Sequence, residues 1–64
     1  MRKYIAKPRT WFMEGTEVRL IEYLTVDKDG LQYGVFEGLR EKIDGEIVRD
    51  SEVCSYEEFN IIDE

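Results

Sequence analysis

The stretch "VDKDGLQYGVFEGLREKIDGEI", residues 26–47, contains two Asp-Gly pairs, Asp29-Gly30 and Asp44-Gly45. Each pair supplies the positive φ that a tight hairpin turn requires, and each lies between runs typical of strands. The three runs that the two turns join therefore predict three consecutive antiparallel strands. This is the strongest structural signal in the chain.

The run between the turns, "LQYGVFEGLREKI", predicts a long, curved strand. One stripe of this run is apolar and consists of Leu31, Tyr33, Val35 and Leu39. The opposite stripe places Phe36 between Gly34 and Gly38. Glycine inside a strand marks a bend or a close backbone approach, so both faces of this strand are expected to serve the fold.

The run before the first turn, "TEVRLIEYLTV", predicts a half-buried strand. Its even positions from Val18 to Val26 are apolar except for Glu22. A strand buries every second side chain, so Glu22 does not fit the buried stripe. A bulge near Ile21 and Glu22 would turn the acid outward.

The segment after the second turn begins with "EIVRD", which predicts a short fourth strand. Ser55 and Glu58 then have the spacing of a capping box. The apolar pattern that follows is too short for a long helix, so "SYEEF" predicts one helical or 3₁₀ turn. Residues 60–62 predict a closing strand.

The N-terminal run "KYIAK" predicts an edge strand because Pro8, which follows it, has no backbone donor. The whole chain, residues 1–64, is then one all-β domain. Its parts are a basic N-terminal strand and loop, residues 1–15, and a core, residues 16–62. We predict a small, five-stranded, strongly bent antiparallel sheet or barrel with one short 3₁₀ turn before the last strand.

This order of elements resembles the Src-homology-3-like small barrels, in which a 3₁₀ turn separates the fourth and fifth strands. The resemblance covers residues 16–62. The peptide-binding branch of that family carries an Ala-Leu-Tyr-Asp-Tyr motif and a tryptophan pair at its third strand. Here "LIEYL" matches the motif only through Tyr23, and no tryptophan lies near residues 32–36. The chain also has a looser resemblance to small uncharacterised bacterial or phage proteins built on this barrel.

Composition excludes several classes of function. The 64 residues contain no histidine and one cysteine, and no apolar run approaches the roughly 20 residues of a membrane helix. The basic start is not followed by the apolar region of a signal peptide. A single cysteine provides no disulfide framework and indicates a reducing cytoplasm. The sequence is consistent with a complete, non-enzymatic gene product without cofactor.

Three candidate catalytic or metal sites have simpler explanations. Cys54 is flanked by acids that disfavour its thiolate, and we expect it to be a small buried side chain. The sequence "DKDG" lacks the first and twelfth ligands of a calcium loop, so it is a hairpin turn. Adjacent Glu57 and Glu58 are expected to be solvated surface rather than a catalytic pair.

The best candidate function is non-catalytic protein interaction by a small cytoplasmic accessory protein, through Trp11 with Tyr23 or Tyr33. Trp11 and Phe12 are adjacent and so point to opposite sides of an extended segment. One is expected to cover the end of the fold while the other contacts a partner; burial of both is the alternative. A homodimer is compatible with this size, because a small domain hides little surface.

The charge distribution suggests two further candidate functions. Residues 1–20 carry five cations and two acids, whereas residues 21–64 carry four cations and thirteen acids, for a net charge of −6. A basic N-terminal arm could associate with nucleic acid through Arg2, Lys3, Lys7 and Arg9, although the acidic body opposes this. Alternatively, the acidic body could mimic nucleic acid on a basic surface of another protein.

Overall fold

A computed structural model describes residues 1–64 and confirms the all-β class. The five strands are β1 (Arg2–Ala6), β2 (Glu17–Val26), β3 (Gln32–Glu41), β4 (Ile47–Ser55) and β5 (Phe59–Asp63), with one 3₁₀ turn at Tyr56–Glu58. They form one antiparallel sheet in the order β4-β3-β2-β1-β5. The sheet is bent but not closed, because its two outer strands do not pair with each other. No helix is long and apolar enough to cross a bilayer.

The bend lies in β2, which pairs with two different strands. Its first residues pair with β1 through Val18 opposite Tyr4, and from Arg19 onward it pairs with β3. The β2–β3 register shifts between Leu20 and Glu22, which confirms the predicted bulge, and shifts again before Thr25. These irregularities increase the local twist and so help one long strand to serve both halves of the sheet.

Burial of β2 differs from the sequence prediction. Val18 is buried and Leu20 is half-buried, but Leu24 and Val26 are exposed. The C-terminal half of the strand extends past the core with only β3 as a partner. The alternation of apolar residues therefore predicted too long a buried segment in β2, because the alternation continues beyond the point where the core ends.

Two strand predictions were wrong in detail. β1 is not an edge strand: it lies between β2 and β5, and Pro8 follows it in the next loop. β4 is longer than residues 46–50 because it pairs along most of β3, from Ile47 opposite Glu41 to Ser55 opposite Tyr33. These cross-strand hydrogen bonds extend the strand through a polar segment with weak strand propensity.

The predicted turns are confirmed. Gly30 and Gly45 have φ of 84° and 89°, which is the left-handed region that glycine tolerates. In the first turn the Asp27 carboxylate accepts hydrogen bonds from two backbone N–H groups. The capping box of Ser55 and Glu58 is complete, with each side chain accepting a bond from the backbone of the 3₁₀ turn or its cap.

The core lies on the inner face of the bent sheet, on the side of Phe36 rather than Tyr33. Phe36 is fully buried, and its ring centroid is 4.4 Å from that of Phe59. Cys54 is buried beside them, as predicted. The buried cluster consists of Tyr4, Ala6, Phe12, Val18, Phe36, Cys54 and Phe59. Aromatic rings thus fill most of a core that is too small for many aliphatic layers.

Candidate interaction surface

Trp11 and Phe12 have different environments, in agreement with their adjacency in an extended segment. Phe12 is buried in the core, whereas Trp11 is 44% exposed. The loop that carries them is fixed by a backbone bond from Met13 to Leu39 of β3 and by the Thr10 hydroxyl. The loop therefore covers one end of the fold with Phe12 and leaves Trp11 at the surface.

Trp11 is held by two charged residues of the β3–β4 hairpin. The indole Nε1–H donates to Asp50 Oδ2 at 3.2 Å, and the guanidinium carbon of Arg40 lies 4.9 Å from the ring centroid. Arg40 Nε also donates to Asp50 Oδ2, at 2.9 Å. The Arg40 bond and the Ser51 backbone N–H lower the pKa of Asp50. Trp11 thus has a structural role in addition to its exposed face.

The structure does not bring Trp11 together with the two candidate tyrosines. Trp11 lies beside Arg40, near one end of β3, whereas Tyr33 is near the other end. Arg40 and Tyr33 are seven positions apart along the strand, or about 23 Å. Tyr23 pairs with Gly34 and belongs to the same end as Tyr33. The predicted partner surface is therefore divided into two separate regions.

The region around Tyr23 contains a further aromatic residue, Tyr56, which the sequence pattern did not indicate as a candidate. The ring centroid of Tyr56 lies 6.3 Å from that of Tyr23 and 5.7 Å from that of Tyr4, both in edge-on geometry. Tyr23 is 48% exposed and Tyr56 is half-buried. Partial burial is the main cause that raises the pKa of Tyr56. Its place at the start of the capped turn was the signal that could have identified it.

Tyr33 is surrounded by carboxylates. Partial desolvation raises its pKa, and the charges of Asp27, Asp29 and Glu57 raise it further. Asp27 and Asp29 come from the β2–β3 turn, and Glu57 comes from the 3₁₀ turn. We call this region the tyrosine–acid surface, which consists of Asp27, Asp29, Tyr33 and Glu57. Tyr23 and Tyr56 lie at the same end of the fold but on the Phe36 side of the sheet.

The acids of the tyrosine–acid surface have no salt-bridge partner. The ion pairs of the protein lie elsewhere and are Arg2–Asp63, Lys3–Glu64, Arg19–Glu37, Arg49–Glu37, Arg40–Asp50 and Lys42–Glu46. Asp27 makes hydrogen bonds within its turn, but these do not neutralise its charge. The carboxylates beside Tyr33 are therefore free of ion pairs, and Lys28 is the one cation of the same turn.

The four cations of the proposed nucleic-acid arm are not equivalent. Arg2 and Lys3 are in β1 and pair with Asp63 and Glu64 at 3.0 Å and 2.8 Å. Lys7 and Arg9 follow the strand and form no salt bridge. Only half of the arm therefore has free positive charge.

The remaining candidate groups are placed as follows. Burial and the charges of Glu58 and Glu52 raise the pKa of the Cys54 thiol to about 12. No three histidine, cysteine, aspartate or glutamate side chains are grouped to hold a metal ion. Beside Trp11, a groove of about 390 Å³ includes Glu14 and Glu41 in its lining.

No protein-family model, curated protein or solved structure matches the chain. The resemblance to Src-homology-3-like barrels, drawn from the order of elements, therefore stays a prediction.

Proposed function

We propose that this protein is a non-catalytic interaction module that binds a positively charged region of another protein through the tyrosine–acid surface. The observation that carries the proposal is the coincidence of half-buried Tyr33 with the carboxylates of Asp27, Asp29 and Glu57, none of which forms a salt bridge. Around Trp11, by contrast, the charges of Arg40 and Asp50 pair with each other.

Each component of this surface suits protein binding. Tyrosine supplies a large contact area at a small cost in side-chain entropy, and it is enriched among the residues that dominate binding energy. Tyrosine faces also attract lysine and arginine through their negative quadrupole. Carboxylates free of ion pairs increase the rate of encounter with a cationic partner and disfavour anionic ones.

Acidic mimicry is a special case of this proposal. If the cationic region of the partner is itself a nucleic-acid site, the acids of the tyrosine–acid surface would compete with phosphates for it. Binding by the basic arm is less well supported, because Arg2 and Lys3 are engaged in ion pairs.

The absence of catalysis is part of the proposal and rests on the chemistry of the side chains. The chain has no histidine, which is the usual general base at neutral pH. The Cys54 thiol, with a pKa of about 12, is protonated at neutral pH and is a poor nucleophile.

Two further parts of the proposal concern architecture and location. The lone cysteine without a disulfide supports a cytoplasmic protein. The sheet order and the 3₁₀ turn between β4 and β5 support the resemblance to Src-homology-3-like barrels. The element order alone does not imply a particular ligand.

Two charge variants with equal net charge test the function. In the first, Asp27→Asn, Asp29→Asn and Glu57→Gln neutralise the tyrosine–acid surface while they keep side-chain shape. In the second, Glu14→Gln, Glu41→Gln and Asp44→Asn remove three acids at the opposite end of β3. Asparagine at position 27 keeps an acceptor for the turn hydrogen bonds.

Each variant and the natural protein would be immobilised and used to capture partners from a lysate of the host. NMR titration with arginine- and lysine-rich peptides would locate the binding residues. We expect the first variant to lose at least about tenfold in affinity and the second to retain it. Equal loss by both variants would show that only net charge matters and would refute this surface as the site.

A further inference from the structure

The open sheet leaves two edges, and the edge formed by β5 has a free backbone. The β1–β5 register places Lys3 opposite Ile62 and Tyr4 opposite Ile61. The backbone N–H of Lys7 donates to the carbonyl of Glu58, and the N–H of Glu64 donates to the carbonyl of Met1. These two bonds show which opposed residues of β1 and β5 are hydrogen-bonded pairs. By the alternation of an antiparallel ladder, the backbone groups of Ile62 point to β1, whereas those of Ile61 and Asp63 point away from the sheet.

The side chains of this edge are apolar and locally neutral. Ile61 and Ile62 are 41% and 45% exposed. The only charged residue of β5 is Asp63, and Arg2 neutralises it. In a protein of net charge −6, this edge is therefore a place where a second copy could approach without opposing like charges.

The other edge, β4, has the opposite character. Its central residues include Arg49, Asp50 and Glu52. Any antiparallel self-pairing centred on residues 49–52 places like charges opposite one another, which destabilises the pair. Charged residues on an edge strand are a common protection against such association. β5 has no such protection between Phe59 and Ile62.

We propose that the β5 strands of two copies pair antiparallel about Ile62 and join the two sheets into one. In this register Ile61 of each copy exchanges backbone hydrogen bonds with Asp63 of the other. Ile62 then faces Ile62 of the second copy in a pair without hydrogen bonds, where side chains approach most closely. Asn60 faces Glu64, so no two like charges are opposed.

A second copy fits this edge better than an unrelated strand because the edge is complementary to itself. The same two outward-pointing residues supply both donors and both acceptors, and the central side chain is apolar. A domain of this size buries only about 60% of the surface of its unfolded chain, so added burial is favourable. The pairing does not involve the 3₁₀ turn and leaves the tyrosine–acid surface free for another partner.

Sedimentation of the full chain from micromolar to millimolar concentration tests the pairing. We expect a reversible monomer–dimer equilibrium. Ile62→Lys places two like charges opposite each other and should weaken the dimer at least about tenfold. Val53→Lys is the matched control: Val53 is 54% exposed on β4, so this variant should dimerise normally. A natural protein that is monomeric at every concentration, or equal weakening by both variants, would refute the proposal.

Disulfide trapping tests the register. Paired Cα atoms without hydrogen bonds are about 4.5 Å apart, within the range that a disulfide spans. Oxidised Ile62→Cys should therefore form a covalent dimer. In Asn60→Cys the two introduced thiols lie four residues out of register, or about 13 Å apart along the strands, and should not cross-link. Cross-linking of Asn60→Cys but not Ile62→Cys would contradict the pairing about Ile62.

Discussion

A Cβ atom added to Gly34 would lie only 3.0 Å from the backbone carbonyl oxygen of Glu22. The register of β2 shifts just before Glu22, and Gly34 is on the facing strand. The bulge thus brings the two backbones together at a position where β3 has no side chain. Gly34 is required by this close approach rather than by an unusual φ.

Gly34→Ala should destabilise the fold by about 1–3 kcal/mol, the usual cost of forcing an extra methyl group into a packed site. The methyl group would also lie 2.8 Å from Leu20 Cδ1. Gly38→Ala is the comparison, because its nearest atoms, at 3.0 Å and 3.2 Å, belong to the buried side chains of Val18 and Phe12 rather than to backbone, and we expect it to cost less. Urea denaturation would measure both. A larger loss for Gly38→Ala than for Gly34→Ala would contradict the bulge as the cause.

Gly45→Val should destabilise by about 1–2 kcal/mol through backbone strain alone. No atom lies within 4 Å of the position that its Cβ would occupy, so a clash is excluded. Gly45→Asn should cost less, because asparagine adopts positive φ more readily. At Gly30, whose φ is also positive, valine should likewise destabilise the fold more than asparagine. If valine and asparagine were equally tolerated at both turns in denaturant titrations, strain at positive φ would not be limiting.

The Cys54 thiol should react with thiol reagents only when the protein unfolds. Its pKa of about 12 lies above the ordinary value of 9.0, so its protonated form stabilises the fold. That contribution is complete below pH 9 and is lost as the pH rises towards about 12. Labelling rates at pH 8 should increase with denaturant in parallel with global unfolding. Rapid labelling in native buffer would contradict the burial of the thiol.

Cys54→Ser tests the structural role of the same residue. We expect partner binding to be unchanged and the free energy of unfolding to fall by about 1–2 kcal/mol or less. Loss of binding in a variant that remains folded by circular dichroism would assign Cys54 a functional role.

The Asp50 carboxylate should make stability sensitive to acid. Its pKa is below the ordinary 3.8, so its charged form stabilises the fold above that pH. The contribution is lost as the pH falls through the lowered pKa. Asp50→Asn should therefore be less stable than the natural protein at pH 7, and the difference should shrink as the pH falls below 3.8. Fluorescence of Trp11, the single tryptophan, provides the measurement. A difference that is independent of pH would contradict a role for the charge.

Nucleic-acid binding should be weaker than about 100 μM near physiological salt, the weak end of the non-specific range. Each phosphate contact adds about 0.7–0.9 to the dependence of log affinity on log salt. Because Lys7 and Arg9 are the only unpaired cations of the arm, the slope should not exceed about 1.8. Titration of labelled oligonucleotides at two salt concentrations measures it. Micromolar binding that Lys7→Gln and Arg9→Gln abolish would make the arm the functional site.

Local signals predicted the two hairpin turns, the capped turn and the bulge correctly. The Asp-Gly pairs, the S-x-x-E spacing and the misplaced Glu22 act over a few residues, and their conformations were anticipated. Sequence also indicated that Phe12 and Trp11 would have different environments, but not which of them would be buried. That choice depends on the packing of Phe12 against Gly38, a residue far along the chain.

The candidate surface was less predictable, because it is assembled from segments distant in sequence. Tyr33 acquires its acidic surroundings from the turn at Asp27 and Asp29 and from Glu57 across the sheet. Trp11 was expected beside the tyrosines but lies at the other end of β3. A linear pattern reports side-chain chemistry and not the distance between segments.

The sequence by itself determined the all-β class, the two hairpins and the capped turn, because hydrogen bonds and φ preferences within a few residues fix them. Only the tertiary structure decided that β1 is an inner strand with β5 at the edge, and that the sheet stays open. Strand order depends on which backbones pair across long stretches of chain, and many pairings satisfy the same alternation of apolar residues. The neutralisation of Arg2 and Lys3 by Asp63 and Glu64 follows from that pairing.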